Sequence, residues 1–95
     1  MKTIIWIDSS EVRRKFIEEL LRNENDLEVF TRDSIDNLSE DEALNIAPSF
    51  IIVESFFYDR ALKKFSNHNC IELGGQKLAL PLRPLELSNS LRLLK

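Results

Sequence analysis

The chain has 95 residues, 43% hydrophobic and 31% charged, which fits one globular domain spanning 1–95 and leaves no room for a separate substrate domain. Sixteen acidic residues against thirteen basic ones give a net charge of −3, the reverse of the basic excess that marks a nucleic-acid binder. A single cysteine, Cys70, excludes an internal disulfide, and no apolar run approaches the ~20 residues that span a bilayer.

Taken in order, Thr3 to Ile7 is a β-branched and aromatic run that reads as a buried strand and ends at Asp8-Ser9-Ser10. A helix follows, capped by Ser9 or Ser10, with Glu11 at the positive end of its dipole. Val12, Phe16, Ile17, Leu20 and Leu21 are expected in the core, with Arg13, Arg14, Lys15, Glu18 and Glu19 facing water. Leu27 to Phe30 alternates as an edge strand would. Ser39-Glu40-Asp41-Glu42 matches a capping box and opens a second helix through Ala43, Leu44 and Ala47, stopped by Pro48.

Phe50-Ile51-Ile52-Val53 has no polar alternation, so it reads as the central strand of a parallel sheet covered on both faces. It ends at Glu54-Ser55. Asp59 to Phe65 is a short helical segment with Ala61, Leu62 and Phe65 on one face, followed by the turn Ser66 to Asn69. Cys70–Leu73 and Lys77–Leu80 read as strands, and the three residues between them allow only an antiparallel hairpin. Pro84 then starts a last helix that buries Leu87, Leu91 and Leu94.

The order of elements implies an α/β fold with a doubly wound sheet. In the strand order 2-1-3-4-5, Asp8-Ser9 and Glu54-Ser55 lie side by side at the switch point, beyond the carboxyl ends of the strands. Two carboxylates there could hold a hard cation, or Asp8 could simply cap a helix while Glu54 is solvated. His68 and Cys70 fall short of a zinc site. Gly74-Gly75 lacks the lysine and hydroxyl of a phosphate loop, and no serine has the histidine and acid that would activate it. No catalytic residue, metal site or cofactor is expected.

The stretch Ile4 to Ser9, followed by Glu11-Val12-Arg13, is similar to the first strand, acidic pair and first helix of two-component receiver domains. Pro48 to Glu54 resembles the strand that carries the phosphorylated aspartate, and Leu78 to Leu87 resembles the last strand, the Lys-Pro step and the last helix. The resemblance implies a shortened flavodoxin-like, receiver-like sheet that lacks one helix and ends in the hairpin. The helix-deleted version is closer still to the α/β/loop domain of Rcs-type phosphorelay proteins.

Measured against that family, the phosphorylation site is degenerate. Ser9 stands for the second acid after Asp8, Glu54 for the phosphoacceptor aspartate and Leu80 for the lysine, so three parts of phosphoryl transfer are altered. The implied role is a non-enzymatic, non-phosphorylated interaction module in bacterial phosphorelay signalling. It would dock a response regulator, a phosphotransfer domain or a kinase, in the cytoplasm and without direct membrane contact, alone or within a membrane-tethered parent. Carried over from the family, the docking face would comprise Arg13, Arg14, Ile17, Pro81, Leu82 and Arg83. Leu82 is either an exposed anchor or packed under the last helix. The rival readings are a divergent phosphoacceptor and a small-ligand-binding α/β domain.

Overall fold

A computed structural model describes residues 1–94. The elements run β1 (Lys2–Ile7), α1 (Glu11–Leu21), β2 (Leu27–Arg32), a 3-10 turn (Ile35–Asn37), α2 (Glu40–Ile46), β3 (Phe50–Glu54), α3 (Ser55–Lys64), β4 (Cys70–Leu73) and α4 (Pro84–Leu93). The four strands form one all-parallel sheet of order β2-β1-β3-β4. This is an α/β architecture compatible with a shortened flavodoxin-like fold.

The unbroken apolar runs of β1 and β3 serve two layers, because side chains along a strand alternate between its faces. Ile4, Trp6, Phe50 and Ile52 pack with Ile17 and Leu21 of α1 and with Leu87 and Leu91 of α4. Ile5, Ile7, Ile51 and Val53 pack on the other face with Ala43 of α2 and with Phe57 and Ala61 of α3. The capping box is made in full: Glu42 N donates to Ser39 Oγ at 3.0 Å, and Ser39 N donates to Glu42 Oε1 at 3.2 Å. The helix ends at Ala47 in the left-handed region, φ 53°, just before Pro48.

The last helix is tied down from outside. Lys2 Nζ donates to the carbonyls of Leu91, Arg92 and Leu94 at 3.1, 2.6 and 3.1 Å, closing the negative end of α4. Arg92 in turn pairs with Asp26 at 2.7 Å and with Glu24.

The expected hairpin does not form. Gly75 N donates to Glu72 O at 3.1 Å, which turns the chain out of β4 at once, and Gly74 turns at φ +93°. Of residues 77–80 only Leu78 is buried, and it makes a single isolated bridge to Leu73, in the parallel sense. Pro81 follows with no N–H to extend a ladder.

Other positions differ as well. Val12 is 80% exposed while Ile17 is 0% exposed, which exchanges surface for core at the start of α1. Leu62 is exposed, off the buried face expected for it, and α3 begins at Ser55, four residues before the expected Asp59. The earlier start brings Phe57 into the core one turn ahead of Ala61.

Candidate functional site at the carboxyl end of the sheet

Strands β1 and β3 are neighbours in register, Ile7 opposite Val53, so the residues that follow them meet at one edge. Asp8 leaves β1 fully buried. A carboxylate out of water costs several kcal/mol unless donors replace the solvent, and here four do. Arg13 Nε donates to Oδ2 at 2.7 Å and Arg13 Nη2 to Oδ1 at 2.8 Å. Ser10 N reaches Oδ1 at 2.9 Å, and the Trp6 indole reaches Oδ2 at 3.2 Å.

Burial pushes the Asp8 carboxyl up, but the Arg13 fork, the Ser10 amide and the Trp6 indole outweigh it and hold it below the ordinary carboxylate range. Arg13 is held above its own ordinary value, chiefly by the hydrogen bond to Asp8.

Glu54 completes the cluster from β3. Its Oε1 accepts from Ser9 N at 3.0 Å and Ser9 Oγ at 2.8 Å, and its Oε2 accepts from Arg13 Nη2 at 3.0 Å. One guanidinium therefore spans both carboxylates, and all four carboxylate oxygens have a donor. The cation that two converging acids call for is supplied from within the chain, by the first turn of α1. Neither sequence alternative anticipated this: Glu54 is neither simply solvated nor left open to an outside ion. Asp8 accepts from Ser10 N, while the helix cap proper is Ser10, whose Oγ accepts from Arg13 N at 3.2 Å.

The other expected site residues fall into two groups. Arg14 also turns inward, donating from Nη1 to the Asp8 carbonyl at 2.7 Å. Ile17 lies in the core and cannot touch a partner. Leu80 is partly exposed and brings no charge to the carboxylates. With Val12, Phe16, Pro81, Leu82 and Pro84 it lines an open, mostly apolar groove of about 700 Å³ whose margin includes Arg13. Leu82 is half-buried, packed against the core cluster that includes Leu87 and Leu91 of α4. Arg83 is exposed at the start of α4.

His68 lies in the turn after α3 with its ring edge-on to Phe65, and Cys70 sits in β4 with its thiol pushed up by burial. Among the described residues, no three His, Cys, Asp or Glu side chains are grouped so as to hold a metal ion. No described helix is long and apolar enough to cross a membrane.

The sequence reading missed the Asp8–Arg13 pair and the exposure of Val12. The signal for the first was the five-residue spacing across the strand–helix junction, which places Arg13 on the helix turn directly above the strand end.

No protein-family model matches the chain, and no curated protein matches it in sequence.

Proposed function

We propose that this chain is a receiver-like interaction module of bacterial phosphorelay signalling that docks a partner domain and does not accept phosphate. The observation that carries the reading is the guanidinium of Arg13 bound to Asp8 and Glu54 together. A carboxylate that attacks a phosphoryl donor must be free to approach it, and the transferred group needs a metal or lysine to take its charge. Here both carboxylates are held by Arg13, that cation is already neutralised by them, and Leu80 is apolar.

With the acidic centre locked, the feature left to meet a partner is the groove of Val12, Phe16, Leu80, Pro81, Leu82 and Pro84. It joins α1 to the loop before α4. Exposed apolar side chains around a concavity are what a docking surface requires.

The test has two arms. Intact mass after treatment with acetyl phosphate and magnesium is expected to show no adduct, and a phosphate adduct would sink the non-phosphorylated reading. Titration with phosphotransfer, receiver and kinase domains is expected to shift amide resonances at Val12, Phe16 and Leu82. Shifts confined to other elements would reject the groove.

A further inference from the structure

The α2/α3 layer lies on the face of the sheet opposite the groove, and its two helices carry opposite charge. Helix α2 holds Glu40, Asp41 and Glu42 with no base, while α3 holds Arg60, Lys63 and Lys64 against Asp59 alone. Glu42 is paired with Arg32, and Lys64 donates to the Ile35 carbonyl at 2.8 Å. Glu40, Asp41, Arg60 and Lys63 are exposed and form no ion pair among the described residues.

Large apolar side chains stand among these charges. On α2, Leu44 is 69% exposed and shares a face with Glu40 and Asp41, at helical spacings of four and three. On α3, Phe56 is 81% exposed and shares a face with Arg60 and Lys63, at spacings of four and seven. Each helix thus presents an apolar residue beside unpaired charge, and the signs are opposite.

We propose that this layer binds a second copy of the chain about a two-fold axis that runs along the helices. Both helices return from one parallel strand to the next, so they point the same way. A two-fold axis along that direction lays α2 of each copy over α3 of the other. The acidic face then meets the basic face twice, with Leu44 and Phe56 enclosed between them. An axis across the helices would set acid on acid and base on base, so the charges select one arrangement. The groove on the opposite face stays open, which makes pairing independent of the proposed docking.

Sedimentation equilibrium of the full chain tests this at about 0.1 M and about 1 M salt, where the Debye length is roughly 10 Å and 3 Å. A dimer that weakens at the higher salt is expected. The double variants Glu40→Lys/Asp41→Lys and Arg60→Glu/Lys63→Glu should each weaken self-association at least tenfold. Mixed together they should form a heterodimer, because one then carries two basic helices and the other two acidic ones. Phe56→Ser should weaken the dimer while leaving the melting temperature unchanged at concentrations dilute enough for both chains to be monomeric. A wild-type chain that stays monomeric at millimolar concentration overturns the proposal, as does a dimer indifferent to both reversals or a mixture that fails to associate.

Discussion

Arg13 grips Asp8 with two parallel hydrogen bonds, Nε to Oδ2 at 2.7 Å and Nη2 to Oδ1 at 2.8 Å, and the same Nη2 reaches Glu54. The planar fork matters because it meets both Asp8 oxygens with two parallel N–H groups in one fixed geometry, which a flexible ammonium does not pre-organise. Arg13→Met would leave a fully buried carboxylate without its counter-charge. The expected loss is about 3 kcal/mol, at the low end for a broken buried pair because the Arg13 side chain is 32% exposed. Pairing that change with Asp8→Asn removes both charges and should recover most of the loss. Urea midpoints of the two variants and of the wild type measure the difference.

The same pair fixes how stability depends on acid. The folded chain holds the Asp8 pKa below its ordinary value of 3.8, so the unfolded chain takes up the proton first. The Asp8 contribution is complete above 3.8 and is lost as pH falls through the depressed folded value. Asp26 and Glu42, lowered by Arg92 and by the Ser39 amide respectively, act in the same direction. In Arg13→Met the Asp8 carboxyl loses its main pKa-lowering partner, so the part of the acid-dependent loss that comes from Asp8 should shrink. Melts between pH 5 and pH 2 would reveal it, and Trp6 fluorescence should follow the same change because its indole donates to Asp8.

Val12 and Ile17 provide a contrast that separates binding from folding. Val12→Asp places an acid in the first turn of α1, where the helix dipole favours it, and should change stability by less than about 0.5 kcal/mol. It should nevertheless abolish docking in the groove. Ile17→Ala should cost about 3 kcal/mol by opening a core cavity. Binding by titration calorimetry and stability by urea melts, run on both variants, give the comparison.

The sheet and its covering helices were legible because β1 and β3 carry runs that only a doubly covered strand tolerates, and because the Ser39 box and Pro84 mark helix starts. The converging ends at Asp8 and Glu54 followed from the same strand order. Arg13 was missed because periodicity assigns a residue to a helix face but does not say where a long side chain reaches. Val12 and Ile17 lie five residues apart, about 140° round the helix, so burying Ile17 turns Val12 toward water. The segment 77–80 has the alternation of a strand, yet Gly74, the Gly75 turn and Pro81 remove the backbone geometry that a strand needs.

Lys2 closes α4 with a charge-assisted contact at its negative end. Lys2→Met should therefore cost about 1 to 2 kcal/mol and raise hydrogen exchange in the last turn of α4 before anywhere else. Amide exchange resolved by residue would show whether the loss is local.

Because the Lys2 amine also reaches the Leu94 carbonyl at 3.1 Å, the first strand and the last helix are near neighbours in space. Strand β1 and helix α4 should therefore come apart together when the chain unfolds, because the Lys2 contacts are lost whichever of the two moves first.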